Sequence, residues 1–318
     1  VKPEWVFKCE DEVRSSARVV DGVVYIGSYD HNLYAIDAQK GSFVWKFPTS
    51  SGIASTPCIY EDMVLIGSED GHVYALSRRL GDKLWALETG ACVRSSPHAS
   101  YGHGFVGSDD GHLYTFNART GRVVWKFQSA GPIRSTPLLI GEMLYVGSDD
   151  GYVYALELRS GQVKWKHDTH RRVTSSPAES DGLIIIGSAD GHVYALNAGS
   201  GWPVWRARTR ASVLSSPLVA DGVVYIGSAD GHLYAFDAGS GREIWRYDTG
   251  GPVTSSPAVE GDRVYIGSNS GGVYALEAKR GREVWQYRTG APVPSSPFVW
   301  GGVVYIGSVD HHVYALPA

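Results

Sequence analysis

Two side-chain types recur at positions where they could do chemistry. Five histidines, His72, His112, His192, His232 and His312, each stand two residues after an aspartate, four of them in an Asp-Gly-His turn. A ring of imidazoles could hold a metal ion or sense pH. Equivalent residues of successive structural units stand too far apart to share one ion, so local hydrogen bonding is the expected role. Arg14, Arg94 and Arg134 share a second recurring position, and His170, Arg171, Arg172, Arg208 and Arg210 add positive charge nearby. The guanidinium fork matches carboxylates and phosphates. Arg14, Arg94, Arg134, His170, Arg171, Arg172 and Arg210 are therefore the candidate binding site for a small anion or an acidic partner segment. Glu10, Asp11, Glu12 and Asp168 are the nearby acids that could neutralise it. His98 and His103 flank one altered hairpin, a thin set for a metal without a carboxylate or thiol. Trp202 and Trp300 stand apart from the other eight tryptophans and are expected to fold back over neighbouring hairpins.

The elements that must position these residues repeat every forty residues. Tryptophan falls at 5, 45, 85, 125, 165, 205, 245 and 285 without an insertion, and Gly-Ser recurs eight times, from Gly27-Ser28 to Gly307-Ser308. A period of this length marks a propeller or solenoid. The unit at residues 252–290 reads as four short strands, at 253–259, 263–268, 272–277 and 283–287. The Asp-Gly pair after the second strand, as at Asp230-Gly231, reads as a two-residue hairpin with positive φ at both positions. Small Ser-Ser-Pro runs suit an innermost strand near a crowded axis, and Tyr and Trp suit the wide outer gap. The expected fold is all-β, an eight-bladed β-propeller. Residues 3–8 are expected to pair with residues 293–316 and close the ring, making 1–318 a single propeller domain.

Composition removes several function classes. The formal charge is -4 over 318 residues, which argues against general nucleic-acid binding. No apolar run approaches the length of a membrane-spanning helix, so direct membrane insertion is not expected. Cys9, Cys58 and Cys92 do not form a disulfide framework. No nucleophile elbow, P-loop or zinc helix occurs. The chain opens at Val1 rather than Met, and a signal peptide or neighbouring domain is expected upstream.

The run Ala35-x-Asp37-x-x-x-Gly41-x-x-x-Trp45 resembles the tryptophan-docking motif of the PQQ-like quinoprotein propellers. The Gly and Trp recur in every complete copy, the Ala is replaced at Thr115, and the Asp position varies through Ser77, Asn117, Glu157, Asn197 and Glu277. The resemblance implies a ring in which Trp5, Trp45, Trp85, Trp125, Trp165, Trp205, Trp245 and Trp285 each dock against the adjacent blade. That family includes PQQ-dependent dehydrogenases, BamB-like outer-membrane assembly proteins and sensor propellers of bacterial Ser/Thr kinases. Its dehydrogenases need calcium ligands, a catalytic Asp, often a vicinal Cys pair, and insertions that build the site. None of these is visible here. The expectation is a non-catalytic sensor domain or scaffold, extracytoplasmic, binding a protein or small anion near the central channel, without a cofactor. A PQQ-dependent oxidoreductase, with PQQ and calcium, is the first alternative. An engineered or recently amplified repeat protein without an evolved ligand is the second, suggested by the absence of insertions.

Overall fold

The computed structural model describes all 318 residues. Eight sheets of four antiparallel strands make up an eight-bladed β-propeller, with no helix. In seven blades the chain runs from the inner strand outwards. The eighth is assembled from both ends of the chain: Trp5–Lys8 pairs with His312–Pro317, in the register Trp5↔Ala315 to Lys8↔His312.

The inner strand is shorter than the sequence pattern suggests. Only Ala258–Glu260 joins the ladder in the unit at residues 252–290. Pro257 has no N–H to give, and upstream of it a side chain replaces the ladder. The Ser255 hydroxyl accepts the Gly267 N–H at 3.2 Å. Ser55 does the same for Gly67 at 2.9 Å and Ser215 for Gly227 at 3.1 Å. Each of these serines is fully buried, so the bond satisfies a backbone donor that water cannot reach.

The Asp-Gly turns also differ from the expected hairpin. Residues 228–231 form a four-residue turn between Val223–Gly227 and His232–Asp237, with positive φ at Gly231 but not at Asp230. The aspartate dictates this shape. Asp230 accepts the His232 N–H at 3.0 Å, the Tyr234 hydroxyl at 2.8 Å and the Arg210 N–H of the adjoining connector at 2.9 Å. The two-residue hairpins lie on the opposite face of the ring, as at Asp221-Gly222 with φ of 50° and 71°. One face thus carries the blade-to-blade connectors and the Asp turns, and the other carries the hairpins.

Neighbouring blades are joined by the tryptophans. The Trp205 indole donates to the Ala238 carbonyl of the next blade at 2.8 Å. Its ring covers Gly241, whose φ is +70° and where a Cβ would sit 2.5 Å from the indole. No other residue could both take that backbone conformation and leave room for the ring. Trp5 docks on Ala38 and Gly41 in the same way, which seals the last blade to the first. Trp85 is the irregular member: its indole N–H is buried without an acceptor. The hydrophobic clusters straddle blade boundaries, so each blade buries one face against each neighbour; Trp5, Val13, Val24, Tyr305 and Val313 form the one that closes the ring.

Candidate functional site

The channel along the ring axis gathers the polar side chains. Its wall carries one hydroxyl per blade, at Ser16, Thr56, Ser96, Thr136, Ser176, Ser216, Ser256 and Ser296, lining a cavity of about 500 Å³. The belt is held blade to blade. The Thr56 N–H donates to the Ser96 hydroxyl at 2.9 Å, Thr136 to Ser176 at 2.9 Å, Ser176 to Ser216 at 2.8 Å, Ser216 to Ser256 at 2.9 Å, Ser256 to Ser296 at 2.9 Å and Ser296 to Ser16 at 2.9 Å. Every belt serine accepts in this way, and neither threonine does. A β-branched side chain has fewer rotamers with which to reach the neighbouring N–H.

The connector-face mouth is charged on one side. The Arg14 Nε donates to Glu12 at 2.6 Å and its guanidinium lies 5.1 Å from the Tyr29 ring. The Tyr29 hydroxyl donates to Glu69 at 2.8 Å, and so does the Arg94 Nε at 2.8 Å. Arg94 also binds Asp109, which accepts two bonds from Arg134 at 2.9 and 3.1 Å. Arg134 reaches on to Asp149 at 3.3 Å. Arg94 and Arg134 are therefore linked by carboxylates into an alternating series that Tyr29 extends to Arg14 across four blades, and the three do not form the basic arc that their positions in the sequence suggest. Glu69, Asp109 and Asp149, the acids around Arg94 and Arg134, each lie one residue after a Gly-Ser pair. Asp149 ends the chain with one carboxylate oxygen buried and unpartnered. Burial raises its pKa, against the pull of Arg134 and Arg172. At the same two positions the other four blades present Thr174, Leu214, Thr254 and Pro294, and Ala189, Ala229, Asn269 and Val309.

The remaining connector residues stand apart from this chain. His170 is exposed at φ 68° with its ring 3.3 Å from Asp168. Arg171, Arg172 and Arg210 are exposed on connectors without an ion pair.

The hairpin end of the channel carries a group missed at the sequence level. Arg18, Cys58 and His98 occupy one position in three successive blades and line the cavity. Arg18 has no carboxylate within 4 Å and lies over the Phe298 ring at 5.1 Å. Arg18 is exposed at the open mouth, although the atoms crowding its guanidinium lower its pKa. Burial and the adjacent Arg18 charge hold the His98 pKa below its ordinary value. Burial pushes the Cys58 thiol upward, which keeps it protonated.

The other candidate residues are local. Each turn histidine has Nδ1 within 3.2–3.3 Å of the aspartate of its own turn, as His232 with Asp230 and His72 with Asp70. His112 is 3.2 Å from Asp110 without hydrogen-bond geometry, and its Nδ1 is otherwise unpartnered. His98 and His103 stack on Phe105 at 6.2 and 6.3 Å and do not face one another. Trp202 does not fold back: it is 76% exposed. Trp300 is 36% exposed.

An eight-bladed propeller whose distinctive chemistry lies along its axis is the class these features define. A family profile described as outer membrane protein assembly factor BamB matches residues 4–103 and 229–318, and one described as beta-alanine-activating enzyme, beta-propeller, matches residues 61–262. The chain belongs to the PQQ-like repeat family of β-propellers. Among solved structures it is similar to the computationally designed Ika8 protein, with a TM-score of 0.88 and 17% identity over 98% of both chains. It is also similar to BamB from Moraxella catarrhalis, with a TM-score of 0.85 and 18% identity over 100% of this chain and 99% of that one. At such identities the likeness is one of fold. No curated protein sequence matches the chain.

Proposed function

We propose that the protein is a non-catalytic recognition propeller, an extracytoplasmic scaffold or sensor that engages a protein partner at the connector-face mouth. The carrying observation is the break in eightfold symmetry there. Four blades place the Arg14–Glu12 pair, Tyr29 and the series Glu69, Arg94, Asp109, Arg134 and Asp149 side by side, while the other four close the ring equally well with neutral side chains. The fold does not require those charges. A free small anion would meet no unpaired guanidinium in that chain, whereas a protein surface with charges of both signs can match it. The BamB profile supports a scaffold role and an extracytoplasmic location.

The test exchanges one pair, Glu69→Arg with Arg94→Glu, which keeps an ion pair but inverts the displayed pattern. A photo-crosslinking residue at Thr174, beside the charged half, should give a discrete protein adduct in the native chain and lose it in the exchanged one. An identical adduct in both would overturn the reading.

One matching profile is named for the propeller of an enzyme. No three His, Cys, Asp or Glu side chains gather in a way that could hold a metal, and the three cysteines are free and separate. These residues do not fit a calcium-held quinone. Added PQQ with calcium should leave the absorbance unperturbed and support no dye reduction with alcohols or sugars; quinone-dependent reduction would reverse this.

A further inference from the structure

We propose that the hairpin-face half of the axial channel binds a small hydroxylated monocarboxylate, its carboxylate on Arg18 and its hydroxyl groups on the serine and threonine belt. The site lies at the opposite end of the channel from the proposed partner surface and does not depend on it.

The first observation is Arg18 itself. The three arginines of the other mouth all have carboxylate partners, whereas Arg18 has none, although it lines the cavity. Glu260 lines the adjoining groove but makes no ion pair with it. Phe298 supports the guanidinium by cation–π attraction at 5.1 Å. When such a cation rests on a ring face, its in-plane N–H donors remain free, and those are the donors that grip a carboxylate in bidentate fashion.

The second observation is the polarity of the belt. A hydroxyl has one proton and two lone pairs. Each belt serine spends a lone pair on a backbone N–H of the preceding blade and donates to no protein acceptor. Its proton is free, and accepting a bond polarises it towards donation. Thr56 and Thr136 make no hydrogen bond through their hydroxyls and keep theirs too. The wall is therefore an array of donors joined to one unpaired cation, which is the chemistry an oxyanion requires.

Charge decides between anions. Arg18 is the one cation lining the cavity, because His98 is held neutral at pH 7 by its depressed pKa. One negative charge is matched, while a phosphate dianion would leave one unmatched. The space of about 500 Å³ admits an acid the size of a sugar acid.

The test is calorimetry on the full chain with gluconate, acetate and inorganic phosphate. Gluconate should bind saturably and most tightly, acetate more weakly, and phosphate weakest. Arg18→Gln should weaken gluconate by about tenfold or more, since a hydrogen bond to a charged group is lost. Thr56→Val and Thr136→Val preserve shape and orphan no backbone donor, so both should melt like the native chain while weakening gluconate by about threefold or more. No saturable gluconate binding, phosphate as the tightest ligand, or unchanged gluconate affinity in Arg18→Gln would overturn the proposal. Unchanged affinity in both threonine variants would remove the belt from the site and overturn it as stated.

Discussion

The two ends of the channel use arginine in opposite ways. At the connector mouth Arg94 and Arg134 share Asp109, and the chain of charges satisfies itself internally. At the hairpin mouth Arg18 sits on an aromatic ring with no counter-charge. Partnering, not the number of arginines, separates a surface that is already neutralised from one that awaits an anion. The paired series presents both signs of charge, with the unpaired Arg171, Arg172 and Arg210 on connectors apart from it; the hairpin end presents a single cation inside the channel.

The largest way to break this contrast is to destroy both ends together. Deleting residues 1–8 removes the fourth strand of the closing blade and the Trp5 dock. It should cost at least about 3 kcal/mol and show as a lower, broader thermal transition by circular dichroism; an unaltered melt would mean the ring does not depend on that strand. Next comes Asp109→Ala, which removes the carboxylate shared by two guanidinium groups. We expect a loss of about 2 kcal/mol by urea denaturation, less than for a fully buried pair because both arginines touch solvent; a loss below about 0.5 kcal/mol would show that the pairing is idle.

Arg18→Gln sharpens the contrast with an opposite sign. Removing an unpaired, partly desolvated charge should leave stability unchanged or raise it by up to about 1 kcal/mol. Clear destabilisation by this change would mean that Arg18 has a structural role.

The smallest effect is on pH. His98 is held below its ordinary pKa, so its contribution to stability is full above about 6.5, the unfolded value, and is lost as pH falls through the lower folded value. Removing the Arg18 charge should raise the folded value and reduce that loss. The His98 ring resonance, followed by NMR titration, should move its midpoint upward in Arg18→Gln; an unmoved midpoint would separate the two residues.

Much of the fold was legible because Trp45 and its equivalents mark every outer strand and Gly41 and its equivalents mark the loops they cover. The limits of the inner strand were not, because residues 253–259 read as one extended run, whereas Pro257 and the Ser255 hydroxyl end the ladder at Ala258. Asp-Gly misled in a similar way: at Asp230 the carboxylate gathers donors from three places and opens a wider turn, while Asp221-Gly222 makes the tight one. The arginines of the connector mouth were visible as a shared position. Glu12, the partner of Arg14, was visible beside it; the acids of Arg94 and Arg134 were not, because Asp109 lies 15 and 25 residues from the two arginines it binds and only the ring brings them together. Arg18 was hidden at a strand position that the other blades fill with Cys58, His98, or Leu, Ala and Phe. What reveals it is a missing partner, and a sequence does not display missing partners.

The belt bonds have a consequence for how such a chain can change. Every one that stays within the sequence spans forty residues, and the indole bonds span thirty-three. Excising or duplicating one forty-residue stretch by unequal recombination would return each surviving bond to its former separation. Such an event would alter only how sharply adjacent sectors must turn to meet. The number of sectors is therefore governed by curvature, while the charged residues at either end record which sectors have since diverged.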